Sequence, residues 1–346
     1  MPLTEQSIIR AAPGRPRLDA AVESWHGHPR SDHPRWNESA WFGFMVPERN
    51  INGWLYYWHR PHMNLSAGGV AIWDGNGDEQ HDCLYFDWFP FYTHPTEGDH
   101  FNFTLNDGAD TTLSVASPQP LETYEVRYEK REVSLNLSYR ALAEAQADDF
   151  GASDSVSFGS FHYDQLAHVQ GTIVIDGDEI PVDAPHIRDR SWGVRHAFPP
   201  GLRGGLDLGH ADDGSVSFVA SMFSSESLGE DLETTESLTY GHFVMDGTLS
   251  TGVSGSRTTY RDPDGVAQRV VMDMQDAEGR SVHAEGRPTN VLHYDMLWRT
   301  DWSLMRWDTI NGSPGYGECQ DFADRALFRT RRRRKHALAA TSSGGR

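Results

Sequence analysis

The sequence predicts an all-β protein: two antiparallel β-barrels or sandwiches in tandem, with a few short helices near the termini. Three observations carry this. The dominant hydrophobic period is two, Asp/Asn-Gly turns recur along the chain, and 346 residues are about twice what one eight-stranded barrel uses. Aromatic residues make up 11%, which suits strands and apolar ligand walls.

Taken in order, the elements follow from this patterning. "EVSLNLSYRALA" alternates Val133, Leu135, Leu137, Tyr139 and Ala141 with polar neighbours, as a half-buried strand does. "GTIVIDGDEIPV" reads as two strands joined at Asp176-Gly177, a strong hairpin signal. Further Asp/Asn-Gly turns at Asp74, Asn76, Asp107, Asp213, Asp246 and Asp264 separate short alternating runs. Helical spacing is confined to "TEQSIIRAA", "YDMLWRTDWSLMRW" and "ECQDFADRALFRT". The meander restarts after residue 190, so the predicted domains are 15–185 and 186–328, followed by a mobile basic tail over 329–346.

A net charge of −20 argues against a nucleic-acid partner. No apolar run approaches a membrane span and the first residues carry no signal core, so a cytoplasmic protein without stable membrane insertion is expected. Cys83 and Cys319 are far apart and make no metal-type pair. His26, His28, Asp32, His33, His59 and His62 sit among Pro, Gly and Arg, as exposed loops do, so no metal is expected. The chain has no P-loop, no nucleophile elbow and no dinucleotide fingerprint, and no cofactor is expected.

The densest chemistry lies in "HIRDRSWGVRH", residues 186–196. If this stretch is a strand, Asp189 points one way and Arg188 and Arg190 the other. Asp189 then either faces an apolar cavity, where desolvation raises its pKa, or pairs with an arginine or caps a turn. Trp192 offers a cation-stabilising face or a core plug. One hairpin upstream, "SFHYDQLAH" supplies His162, Tyr163 and Asp164, which the turn at Asp176-Gly177 brings toward Asp189 if the strands are adjacent.

"RDRSWGVR" resembles the R-D-H-S-W-G-x-R signature of the carotenoid 1,2-hydratase-like group, related to the AttH proteins. The lead-in "SFHYDQLAHVQGTIVIDGDEIPV", the aromatic "ESAWFGFMVPERNINGWLYYWHRP" and "GSPGYGECQD" resemble that group over roughly residues 20 to 325. The resemblance implies two lipocalin-like domains with an apolar ligand cavity. It points to Asp189, and with it His162 and Tyr163, as catalytic residues. Arg190 replaces a usual histidine, and Ile187 stands where hydratases carry tyrosine.

The expected function is acid-catalysed hydration, dehydration or cyclisation at a C=C bond of an isoprenoid, steroid-like or polyketide substrate. Asp189 would be the acid, and His162 would orient it or deprotonate water. Trp54, Trp58, Trp88 and Trp192 would line the substrate, with Arg190 and Asp164 as polar contacts. Two other classes remain open: a carrier of lipophilic ligands, and a pericyclic cyclase that relies on shape.

Overall fold

The computed structural model describes residues 8–9, 17–27, 33–148, 161–195, 201–224, 232–295, 298–324, 332–333 and 336–337. The chain divides into two compact units. The first is Met1–Ala197 with Gly247–Leu249, and the second is Phe198–Asp246 with Ser250–Arg346.

The first unit holds strands β1 (Trp36–Val46), β2 (Ile51–Arg60), β3 (Leu65–Trp73), β4 (Tyr85–Thr93), β5 (Phe103–Asn106), β6 (Thr111–Gln119), β7 (Thr123–Lys130), β8 (Val133–Ala141), β9 (Gln146–Asp148), β10 (Phe161–Ile175) and β11 (Asp178–Val194). They form one sheet in the order β4-β3-β2-β1-β11-β10-β8-β7-β6-β5, and β9 pairs with β10. The alternation in β8 is realised: Val133, Leu135, Leu137, Tyr139 and Ala141 are buried while their neighbours are partly exposed. Val133, Leu135, Leu137 and Tyr139 join Phe42, Leu55, Val70, Leu113, Val126, Val169 and Ile180 in one core. At the β10–β11 turn, Asp176 (φ 52°) and Gly177 (φ 85°) both take the left-handed conformation that a tight two-residue hairpin requires.

The second unit holds β12 (Arg203–Ala211), β13 (Val216–Ser224), β14 (Glu233–Met245), β15 (Thr248–Arg261), β16 (Ala267–Asp276), β17 (Ser281–Pro288), β18 (Leu292–Asp295), β19 (Arg299–Ile310) and β20 (Ser313–Ala323). Their order is β17-β16-β15-β14-β13-β12-β20-β19-β18. Because β17 also pairs with β19, eight strands close into a ring without edges, and β18 lies outside it. Phe218, Met222, Phe243, Met272, Val282 and Trp307 fill its core.

The all-β tandem is as expected, but three details differ. The described residues of "YDMLWRTDWSLMRW" from Tyr294 to Asp295 and from Arg299 on, and the start of "ECQDFADRALFRT", are strands, not helices. Both faces of β19 and β20 are largely buried, so their side chains show no alternation of period two, and the mixed spacing imitates a helix. Second, β11 runs through Val194 inside the first sheet, so the junction falls after the central motif and not at 185/186. Third, the described helical turns Ala20–Glu23, Pro47–Arg49 and Pro61–Met63 are single 3-10 turns. Of "TEQSIIRAA", only Ile8 and Ile9 are described, and Ile9 bridges to Ala143. The basic tail lies outside the described residues except for Arg332, Arg333, His336 and Ala337. Cys83 and Cys319 are free thiols. Among the described residues no helix is long and apolar enough to cross a membrane.

Candidate functional site

Strand pairing places the motif. In the β10–β11 hairpin, Asp164 stands opposite Asp189 and His162 opposite Ser191. On the other side of β11, Asp189 is opposite Trp41. Trp41 pairs with Tyr56, Tyr56 with Gly69, and Gly69 with Trp88. Directly paired residues share a face, so Asp164, Asp189, Trp41, Tyr56, Gly69 and Trp88 form one row across five interstrand pairings. The adjoining rows carry His162, Ser191, Ser39 and Trp58 on one side, and Gly43, Trp54, Ala71 and Phe86 on the other.

At the acidic end of the row, His162 Nε2 lies 3.2 Å from Asp164 Oδ2. Asp189 Oδ1 accepts the backbone N–H of Trp41 at 3.0 Å. Asp164 is fully buried, His162 is 6% exposed, and Asp189 is only partly buried, so Asp189 is the member of the cluster a ligand can reach. Burial pushes the Asp189 carboxyl up to about 7. His162 and Arg195 hold it down, while Asp164 pushes it further up. Burial would lower the His162 pKa, but the Asp164 carboxylate outweighs it and the net shift is upward. The ligand atoms of His162, Asp164 and Asp189 lie within 4.8 Å of one another, a spacing that could hold a cation.

The other end of the face is aromatic. Tyr56 and Trp88 stack at 5.5 Å with 17° between planes, and Trp54 and Trp58 each contact Trp88 at 6.4 Å. The rings meet above the small residues of β3. A Cβ at Gly69 would come within 2.0 Å of the Asp87 carbonyl, so no larger residue fits this floor. Gly43 does the same for Trp41 and His186: a Cβ there would sit 2.2 Å from one ring and 2.3 Å from the other.

Tyr163, Arg188, Arg190 and Trp192 occupy the opposite face, turned toward the core. Arg188 bonds Glu23 at 2.9 Å and Gln165 at 2.9 Å, and lies over the Tyr124 ring at 4.0 Å. The Tyr163 hydroxyl donates to Glu23 at 3.0 Å. Arg190 bonds Glu38 at 3.0 Å and the carbonyls of Val22 and Ser24. Trp192 stacks on His26 at 3.9 Å and on Phe161 at 4.4 Å. The structure therefore brings together Asp189, His162, Asp164, Trp54, Trp58 and Trp88, and separates from them Tyr163, Arg190 and Trp192. The arginines do not turn toward solvent as their charge suggests; both are fully buried and paired.

Of the residues predicted to lie on exposed loops, His28 and Asp32 lie outside the described residues, and His59 is buried beside Trp25, His94 and His100. Sequence reasoning missed Trp41, Ser39, Arg195, Glu23 and Glu38. Glu38 was detectable in principle: it is the one charged residue in the strand-like run from Trp36 to Val46. Grooves of about 420 Å³ beside Asn102 and Arg127, and of about 250 Å³ beside Leu18 and Pro120, do not reach Asp189.

A family described as a domain of unknown function, DUF7064, matches residues 19–323. The chain belongs to the DUF7064 family. No curated protein matches its sequence. Among solved structures, the DUF7064 chain resembles a protein designated AttH from Nitrosomonas europaea. That match has 13% identity and a TM-score of 0.56, and covers 92% of this chain and 99% of that one. CghA matches with 12% identity and a TM-score of 0.56, over 84% and 89% of the two chains. Kievitone hydratase from Nectria haematococca aligns with 12% identity and a TM-score of 0.48, over 89% and 95%. The DUF7064 chain thus has the AttH-like fold that its central motif suggests.

Proposed function

We propose that this protein is an enzyme that binds an apolar, unsaturated substrate along the Asp189–Trp88 row. Acid catalysis there adds or removes water, or closes a ring, at a C=C bond. The observation that carries this reading is a carboxyl group poised near neutrality in line with a ladder of aromatic faces.

In the hydration direction, protonated Asp189 transfers its proton to one alkene carbon. The π electrons form the new C–H bond, and the other carbon becomes cationic. Ring faces such as Trp41 and Tyr56 lower the energy of that cation. Water adds to it, and the carboxylate of Asp189 takes the surplus proton, which restores the acid. The Trp41 N–H fixes the carboxyl's position, and His162, held by Asp164, carries a proton that can reload it. CghA, which shares the fold, has been crystallised with Sch210972, in keeping with a fold that takes a ligand.

Incubation with unsaturated isoprenoids and polyketides in H₂¹⁸O, read by mass spectrometry, tests this. A product heavier by one labelled water, absent with Asp189→Asn, supports hydration. A bound but unchanged ligand overturns it in favour of carriage, which the aromatic ladder alone would serve.

A further inference from the structure

Next to the acid cluster, the same face of the first sheet carries a group of donors with no anion among them. Arg195, just past β11, lies on the side of Asp189 and Ser191 by strand alternation. Its Nη2 donates to Ser39 Oγ at 3.0 Å and Ser191 Oγ at 2.8 Å, and the two hydroxyls lie 3.0 Å apart. Its Nε is buried without a hydrogen-bond partner. Asn37 is opposite Gly193, is 2% exposed, and has a buried Nδ2 that is likewise unpartnered. Arg60 follows His59, the partner of Glu38, and so stands level with Asn37. Its guanidinium lies 5.3 Å over the Trp58 ring.

Neither Arg60 nor Arg195 forms an ion pair among the described residues, although the chain carries a net charge of −20. Burial lowers the pKa of Arg60, and the nearby Arg195 lowers it further. The buried Nε of Arg195 and Nδ2 of Asn37 are donors left unmade, a cost that an anion accepting from them would relieve. Arginine's planar fork suits a carboxylate.

We propose that Asn37, Arg60 and Arg195 bind the carboxylate head of the ligand, so that the substrate is an unsaturated apolar acid. This inference rests on the reading of the Asp189 row as the substrate site and adds its chemical class. Ser191 is two residues from Asp189, roughly 7 Å along a strand, so the reacting double bond lies within a few carbons of the acid group. The hydrocarbon then runs from Trp58 along the aromatic ladder.

Fluorescence titration with cis-parinaric acid and with its methyl ester tests the inference. The native protein should bind the acid at least tenfold more tightly than the ester. Arg60→Met with Arg195→Met should bring the acid down to the level of the ester while the ester is unchanged, and Arg195→Lys should retain most of the preference. Equal affinity for acid and ester, no binding of the acid, or a preference that survives the double variant overturns the proposal. Should the double variant not fold, the native acid–ester comparison still decides. Asp189→Asn should keep the acid preference, so loss of turnover in that variant reports on the acid catalyst and loss of the preference on the carboxylate pocket.

Discussion

Asp189, partly buried, and Asp321, almost wholly buried, are both strand aspartates, yet their environments drive them in opposite directions. Asp321, in the second unit, is surrounded in space by guanidiniums. Arg261 bonds it at 2.8 and 3.0 Å, Arg203 at 3.2 Å and Arg257 at 3.3 Å. Burial alone would raise its pKa, but these three cations hold it far below the usual carboxylate range. Asp189 has arginines on both sides in sequence, but both point through the sheet to the other face, where Glu23 and Glu38 take them. Desolvation is left in control. In a strand, sequence neighbours are the residues least able to neutralise one another, so local charge composition misjudges a buried carboxyl.

Removing one partner from the second unit's network should have the largest effect. Arg257 bonds Asp207 at 2.7 Å and also reaches Glu236 and Asp321. Arg257→Met should cost about 3–5 kcal/mol in urea unfolding, because it leaves buried carboxylates uncompensated. A loss below about 1 kcal/mol would mean that the network is not what keeps Asp321 ionised.

Next comes Asp189→Asn, which should lower turnover on the order of 10²-fold or more while the protein stays folded at neutral pH. The same carboxyl predicts a pH effect. Its folded pKa, near 7, exceeds its unfolded value, so the stabilisation is complete below about pH 4 and is lost as pH rises through 7. Native protein should therefore lose about 2–4 kcal/mol between pH 4 and 8 relative to Asp189→Asn. Parallel stability curves for the two proteins would contradict the raised pKa. Activity that depends on protonated Asp189 should fall over the same upper range.

The smallest effect sharpens the division between the two faces. Tyr163→Phe removes hydroxyl bonds to Glu23 and Arg188 and should cost about 1 kcal/mol of stability without changing turnover. A large loss of turnover with an intact fold would return Tyr163 to the chemistry.

Much of the site was legible because a tight turn fixes register. With Asp176-Gly177 at the hairpin tip, counting back along both strands puts Asp164 beside Asp189, and strand parity sends Arg188 and Arg190 away. What the sequence hides is everything that arrives from elsewhere. Glu23 and Glu38 reach the arginines from 165 and 152 residues away. Trp41, Arg60 and Asn37 join the site only through the order of strands, which alternation does not specify. The same blindness explains the helical spacing read over 299–307, which is strand: a segment covered on both sides has no polar face to betray its period.

The hold of Glu23 on Arg188 has a practical corollary. Glu23 also receives hydroxyls from Tyr124 and Tyr163 and the amide of Leu121, so one short leader residue ties together β7, β10, β11 and the turn before β7. Trimming the chain to begin at Trp25 would strand a cation among aromatic rings in the middle of the sheet. Fragments designed for expression or crystallisation should keep this leader, however dispensable its composition makes it look.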